Sequence, residues 1–339
     1  MQLRRAAEAG SLGLPFDQVM YPSYAFNEEN LMEEYDQFLH DVGKRLDYGD
    51  DEENNDQDDQ DDQDENAVAW IHKRRGVENS EGITLFSWKD LKKAREERGD
   101  EGHAEFLSPG VLQRYLQNPL LLLNRKTDLR FYILVSAVAP LTAFTYPQYV
   151  VRRSPKDYDP NAKGKGALTA IDLKKGDTIS DLQWSPRQLA ELLKKEGRIE
   201  DVDQFMASFE SKLKILGARL LRSIKDSLTT QTGFYGLYGM DVLVDEELTP
   251  RFSEMNMSPD HGLINSGPWK REFQEEMLRE TAEIQMEVIK YRMEEDPQAS
   301  DLMKFIRPVL KNWSPLVHAI EGSSAAAGGT SWWYDAEGF

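Results

Sequence analysis

The segment Gly239–Asn256, GMDVLVDEELTPRFSEMN, constrains this chain most, because its acidic residues sit at fixed places in a strand–turn–strand pattern. Strands are predicted over Phe234–Val244 and Arg251–Asn256, with a polar turn near Glu246–Thr249 between them. A hairpin symmetric about Glu247–Leu248 puts Asp241 opposite Glu254, and opposed residues share a sheet face. Asn256, two residues farther, falls on the same face, since side chains repeat with a period of two along a strand. Three hard oxygen donors then converge from neighbouring strands. Such a set suits magnesium, which takes a few carboxylates and leaves positions for phosphate oxygens. A slip of one residue in register would scatter them. The bland alternative, polar residues on a solvated strand face, is the usual fate of an isolated Asp/Glu pair.

A second strand signal runs over Asp128–Val138 and is followed, after the Ala139-Pro140 turn, by another at Leu141–Tyr146. Lys126, Asp128 and Arg130 alternate with Leu129, Phe131 and Ile133, so the strand shows a charged row on one side and an apolar row on the other. Ala67–Ile71 reads as a short buried strand. Helices are predicted over Glu28–Val42, Val202–Leu228 and Trp269–Met293. In the longest-patterned of them Phe205, Phe209, Leu213, Leu216, Leu220, Ile224 and Leu228 recur at spacings of three and four, the mark of a core-packing face. A chain of 339 residues is long enough for two domains or one large α/β domain with insertions.

Composition narrows the function classes. The chain has 339 residues, 40% of them hydrophobic, and no cysteine, which excludes disulfides, thiolate metal sites and cysteine nucleophiles. The formal net charge is −19, but 12 of the 60 acidic residues lie between Asp47 and Glu65, and without them the balance is −7. That tract (47–66) is almost wholly Asp, Glu, Asn and Gln and is expected to be a disordered loop. It lacks the glycine and spacing of an EF-hand calcium loop. An acidic chain is a poor candidate for nucleic acid. No apolar run approaches bilayer-spanning length, so no membrane partner and a cytoplasmic location are expected. The tail Gly322–Gly329 reads as flexible, with Trp332, Trp333 and Tyr334 either docked or exposed.

The hairpin residues Gly239, Asp241, Asp245, Pro250, Glu254, Asn256, Ser258 and Pro259 reproduce a G-x-D-x-x-x-D…P-x-x-x-E-x-N-x-S-P pattern. Here the sequence resembles the tubulin–tyrosine-ligase-like family, which has an ATP-grasp fold. Further segments carry the same resemblance. Gln113-Arg-Tyr-Leu-Gln-Asn-Pro-Leu-Leu and Arg125-Lys-Thr-Asp-Leu-Arg-Phe-Tyr-Ile-Leu-Val match the family's Q-K-Y-I-x-N-P-L-L and R-K-F-D-L-R-x-Y-V-L-V. Trp70-Ile-His-Lys with Gly82-Ile83 matches W-I-x-K…G-I, and Val151-Arg152 stands at L-V-R. The resemblance spans roughly 21–293, and it implies that the family's first lobe, expected ahead of the Pro22-to-Phe38 stretch, is truncated here.

The resemblance implies that Asp241, Glu254 and Asn256 hold Mg²⁺ against the phosphates of ATP. Gln113, Arg114 and Leu116 line the adenine pocket, with Arg114 where the family usually has lysine. Lys73 and Lys126 reach the phosphates, Asp128 the ribose, and Thr169 belongs to the nucleotide and substrate segment. Arg130 faces the reacting groups. Arg152 takes a carboxylate of the incoming amino acid, for which a guanidinium fork is suited, and Lys270 stands in the place of a late substrate-binding lysine. The implied architecture is an α+β ATP-grasp fold, antiparallel sheet with flanking helices and a truncated first lobe, divided into a partial N-terminal or central lobe (1–46), the acidic insertion (47–66), a central ATP-grasp lobe (67–125), a C-terminal lobe with the metal hairpin (126–295) and a C-terminal extension (296–339).

The implied activity is an ATP-dependent carboxylate–amine ligase. It would add a free amino acid (Glu, Gly or Tyr) through an acyl phosphate to a protein carboxylate, typically the acidic tail of tubulin. Cytoskeletal or ciliary association goes with such a partner. Lys73–Arg75, Arg152–Arg153 and Lys163–Lys165 are the expected basic surface for the tail. Departures stand at Arg74, at Asn79-Ser80-Glu81 where many members have R-G-R, and at Ala167 and Ala170 in the family's H-L-T-N-Y-S segment. They leave a second class open, a catalytically weak protein that binds nucleotide or tubulin. An ATP-grasp enzyme for another substrate is a third.

Overall fold

The computed structural model describes residues 19–47, 66–76, 82–160, 179–229, 234–257, 259, 267–294, 301–320 and 331–333. These build two antiparallel sheets with flanking helices, the α+β class expected.

The smaller sheet joins β1 (Ser23–Phe26), β2 (Val68–Arg74), β3 (Ile83–Ser87) and β4 (Gly110–Arg114) in the order β1-β4-β2-β3. One face is covered by α1 (Leu31–Asp47) and α2 (Trp88–Leu107). There Tyr24, Phe26, Trp70 and Leu112 meet Tyr35, Phe38, Trp88 and Leu91 in one aromatic-rich core. α2 starts sharply because Ser87 and Asp90 cap each other: the Asp90 amide donates to Ser87 Oγ at 3.2 Å and the Ser87 amide to Asp90 Oδ2 at 2.8 Å. Gly99, at φ 69°, then interrupts it. The strand predicted at Ala67–Ile71 runs on to Arg74, which places Lys73 inside the sheet.

The larger sheet contains β6 (Arg125–Val138) at its centre. Its order is β11-β10-β6-β7-β12-β13, with β7 (Leu141–Thr145), β10 (Gly236–Val244), β11 (Pro250–Asn256), β12 (Ser314–Ile320) and β13 (Ser331–Trp333). Short strands β5 (Leu121–Leu122) and β8 (Val150–Arg153) also pair with β6, and β9 (Gln183–Trp184) pairs with β8. Leu129, Phe131, Ile133 and Val135 bury one face of β6 against α3 (Pro186–Lys195) and α4 (Val202–Ile224). In α4 the predicted Phe209, Leu213, Leu216 and Leu220 are buried, while Phe205 and Ile224 are half-buried at its ends. Tyr132 and Leu134, on the opposite face, are covered by α5 (Pro268–Arg292) and α6 (Leu302–Ile306). α5 reaches only that half of the face. The other half, from Lys126 to Arg130, is left for the site.

The topology redraws two expected boundaries. β1 and the strands β2–β4 lie in one sheet, so the segments on either side of the acidic insertion form a single lobe. β12, from the segment expected to be an extension, pairs with β7 inside the larger sheet, with His318 opposite Thr142. Trp332 and Trp333 lie in β13 against β12. The acidic residues 48–65, Gly164–Gly166 and Gly322–Gly329 fall outside the described residues. Among the described residues no helix is long and apolar enough to cross a membrane.

Candidate functional site

The site begins with the β10–β11 hairpin, whose register places Asp241 opposite Glu254 and Gly239 opposite Asn256. Nearer the turn the pairing shifts by one, with Val242 opposite Phe252, so Ser253 is an extra residue bulged out of β11. The turn is held by Asp245, whose Oδ1 accepts from the Thr249 amide at 2.7 Å, and by Leu248 at φ 62°. Asn256 Nδ2 lies 3.3 Å from Asp241 Oδ2 and 3.4 Å from Glu254 Oε1, so the amide and both carboxylates border one spot.

β6 brings the cationic row alongside. Arg130 pairs across strands with Asp241 and grips it with two bonds, Nε to Oδ1 and Nη2 to Oδ2, each 2.7 Å. Gly239 makes room for this: a Cβ there would lie 3.1 Å from Arg130 Cδ and 2.9 Å from Pro259 Cβ. From the other side of β6, Arg152 on β8 donates to Asp128 Oδ1 at 2.5 Å, and its Nη2 stands 3.0 Å from Asp241 Oδ2. Asp241 is therefore shared between two guanidinia. Burial pushes its carboxyl up, but Arg152 and Arg130 outweigh that and hold it below the usual carboxylate range. Burial likewise opposes the charge on Arg152, and the carboxylates of Asp128 and Asp241 more than restore it.

Two lysines complete the cluster. Lys126 is buried, with its Nζ 4.0 Å from the centre of the Tyr115 ring. Burial brings its ammonium down to about 7, against the pull of Asp128 and with a push from Lys73. Lys73 arrives from the smaller sheet, donating to Gln113 Oε1 at 3.1 Å and to Ser253 Oγ at 3.3 Å. Burial lowers its ammonium too, while Glu254, Asp241 and Asp128 oppose the shift. The uncovered faces of the two sheets thus look at each other across this cluster.

Of the expected site residues, the structure brings together Asp241, Glu254, Asn256, Arg130, Arg152, Asp128, Lys126, Lys73 and Gln113. Leu116 is buried just past β4, beyond Tyr115. Arg114 is not brought to the cluster through its side chain. Its guanidinium lies on the other face of β4, 5.5 Å from the Trp70 ring and 5.2 Å from Trp88. Lys270 is buried in the first turn of α5. Gln274, one turn later on the same helix face, donates to Tyr132 Oη at 2.8 Å, and Tyr132 is two residues from Arg130 on the site face of β6. Thr169 lies outside the described residues, with Ala167 and Ala170.

The expected basic surface is corrected in part. Arg152 faces the carboxylates, Arg153 is buried with its guanidinium 4.3 Å from the Trp184 ring, and Lys73 is occupied between the sheets. Of that set Arg74 and Arg75 are exposed, and Lys163–Lys165 lie outside the described residues. Ser253 and Tyr132 went unnoticed in the sequence. The signal for Ser253 was present, because Phe252 and Met255 both face the core although they are three apart in a strand.

Among the described residues no three His, Cys, Asp or Glu side chains form a metal-holding group. The candidate set is two carboxylates and an amide. It fits magnesium chemically: the donors are hard oxygens once Asn256 turns its Oδ1 toward a cation, and they are too few to enclose it, as a phosphate-bridging ion requires.

The family model described as the tubulin-tyrosine ligase family matches residues 31–295, which include every one of these site residues. A probable tubulin polyglutamylase of Caenorhabditis elegans is 26% identical over 200 residues, covering 57% of this chain and 46% of that protein. A tubulin polyglutamylase of Homo sapiens is 32% identical over 168 residues, 44% of this chain and 13% of its own length. A tubulin glycylase of Tetrahymena thermophila is 29% identical over 246 residues, 68% of this chain and 21% of its own. The chain thus spans less than half the length of these relatives. With the model matched across most of its length and the cluster assembled from the matched segments, this chain belongs to the tubulin-tyrosine ligase family.

Proposed function

We propose that the chain is an ATP-dependent carboxylate–amine ligase that joins a free amino acid (Glu, Gly or Tyr) to a carboxylate of an acidic protein tail, that of tubulin first. The observation that carries this reading is the meeting of Asp241, Glu254 and Asn256 with four cations, Lys73, Lys126, Arg130 and Arg152, between two sheets. Such a cluster is built for bringing several anions together, because positioning and charge neutralisation are what joining two negatively charged substrates demands. Mg-ATP supplies the γ-phosphoryl group that converts the acceptor carboxylate into an acyl phosphate, from which the amine displaces phosphate.

The chain's own residues do the rest. Asp241, Glu254 and Asn256 hold the cation. Lys73 and Lys126 approach the phosphates from opposite sheets, and Asp128 accepts from the ribose. Gln113 and Leu116 form part of the adenine wall together with the backbone of Arg114. Arg130 holds both Asp241 oxygens and Arg152 shares Oδ2 with it, so yielding Oδ2 to a cation frees the Arg152 Nη2 to face an anion. Arg152 then receives the amino acid's carboxylate, with Lys270 as a second substrate-binding residue, and Thr169 is a nucleotide-binding residue. No side-chain nucleophile is needed, in keeping with a chain without cysteine. A place beside microtubules in the cytoplasm or a cilium follows from the substrate.

The test is Mg-ATP binding followed by transfer of labelled Glu, Gly or Tyr to tubulin. Binding with transfer supports the ligase. Binding without transfer favours the second reading, a nucleotide-binding protein of weak activity, for which Ala167 and Ala170 in place of the family's polar residues speak. Mg-ATP binding unchanged in both Asp241→Ala and Glu254→Ala would remove the site.

A further inference from the structure

Ser253 belongs to none of the matched motif positions, yet its hydroxyl is where the two lobes touch at the centre of the cluster. Three observations place it there. The β11 register gains one residue between the pairs Asp241–Glu254 and Val242–Phe252, and that residue is Ser253. Phe252 and Met255 on either side of the bulge both pack into the larger core, which leaves Ser253 and Glu254 together on the site face. Across the cleft Lys73 Nζ reaches Ser253 Oγ at 3.3 Å while it also donates to Gln113 Oε1 at 3.1 Å. Gln113 is itself anchored, its Nε2 donating to Ser23 Oγ at 2.9 Å.

We propose that Ser253 is a positioning residue for Lys73: it accepts one of the ammonium's donors and keeps Lys73 off the Glu254 carboxylate, so that both stay available to magnesium-bound phosphates. An ammonium has three donors in fixed relative directions. Gln113 and Ser253 take two, which defines where the third points. A lysine stem is flexible, so a head group held in advance loses less freedom when a phosphate arrives. With the hydroxyl gone, the nearest strong acceptor is the carboxylate of the adjacent Glu254, which already acts on Lys73 electrostatically. An ion pair there would remove a phosphate ligand and a metal ligand at one stroke. The bulge is what makes this possible, since in a regular strand residue 253 would point away from the face that carries 254.

The inference rests on the nucleotide reading above, and the experiment separates the two. Mg-ATP and AMP affinities, and the magnesium concentration for half-maximal ATP binding, are measured for the wild type, Ser253→Ala, Ser253→Thr, Lys73→Ala and Lys73→Ala/Ser253→Ala. Loss of one charged hydrogen bond should weaken Mg-ATP binding about tenfold in Ser253→Ala, raise its magnesium requirement and leave AMP unaffected. Ser253→Thr should restore the wild-type values. In the Lys73→Ala background the serine substitution should add nothing, because a residue acting through Lys73 has no effect without it. Wild-type binding that Ser253→Ala does not change, or an equal loss in both backgrounds, overturns the positioning role and leaves the nucleotide site standing. A wild type that binds no Mg-ATP overturns both.

Discussion

Asp241 and Glu254 face each other in register yet live in different surroundings, and their variants should separate stability from ligand binding. Asp241 is buried and carries three contacts from two guanidinia. Asp241→Ala strands Arg130 and Arg152 with too little countercharge, and the loss should be about 3 kcal/mol, read from denaturant midpoints. Glu254 is exposed. Glu254→Ala should change stability by less than about 0.5 kcal/mol while magnesium-dependent ATP binding disappears. Gly239→Ala puts a methyl group into the stem of Arg130 and should weaken Mg-ATP binding through that guanidinium, which titration calorimetry can follow. Lys126 gives a pH signature. Its folded form titrates at about 7 and the unfolded lysine near about 10.4. Across that window the unfolded chain holds a proton the folded chain has released, so this group makes stability rise with pH from about 7 upward. Lys126→Met should remove that slope from chemical denaturation measured between pH 6.5 and 9.5. The facing of Asp241 and Glu254 needed the bulge as well, since the turn register continued from Val242–Phe252 would set Asp241 opposite Ser253. At this scale the sequence was legible where alternation alone decides: the shared face of Lys126, Asp128 and Arg130 follows from a period of two. The shift of Arg114 to the far face of β4 follows from the same rule, since it is the neighbour of the inward-facing Gln113.

The elements that were read correctly are those with unbroken periodicity. α4 is the clearest case, a stripe of apolar residues that fits the apolar face of β6. Gly217 leaves little room between the two: a Cβ there would lie 3.0 Å from Ile133 Cδ1. Gly217→Val should therefore overpack the interface and lower stability by about 1–3 kcal/mol, measurable as a lower thermal midpoint with the site's ligand affinity little changed. α2 escaped the sequence reading. Its buried residues Leu91, Ala94, His103, Ala104 and Leu107 do not make one stripe, because Gly99 turns the helix between them and the remainder is charged. The bulge in β11 escaped too, since a hairpin drawn from symmetry has no place for an unpaired residue. Pairing beyond the shift is changed, with Leu243 opposite Arg251 rather than Phe252, although the functional pair nearer the strand ends is kept.

The two lobes meet through more than the cluster. Arg251 on β11 donates from Nη1 to Tyr21 Oη and to Asp245 Oδ2, each at 2.8 Å, and the Phe252 amide donates to Val19 O at 2.8 Å. Tyr21 precedes β1, so the smaller sheet is tied to the β10–β11 hairpin by its leading segment. Burial, with Arg251 opposing, raises the Tyr21 phenol to about 12, so it stays a neutral acceptor through the physiological range. Arg251→Ala should loosen this tie, seen as faster hydrogen exchange in β1 while the buried strand β6 keeps its protection. Local sequence determined the two kinds of element, the alternation that sorts each strand into a core face and a polar face, and the identity of the donors. It could do so because backbone periodicity and burial act over a few residues. Tertiary structure alone decided that the uncovered half of β6 faces the side of the smaller sheet that carries Lys73 and Gln113, that β12 extends the larger sheet beyond β7, and that Lys73 reaches Ser253 across 180 residues of chain. Those outcomes depend on which apolar faces bury each other, a choice among distant segments that no local pattern encodes.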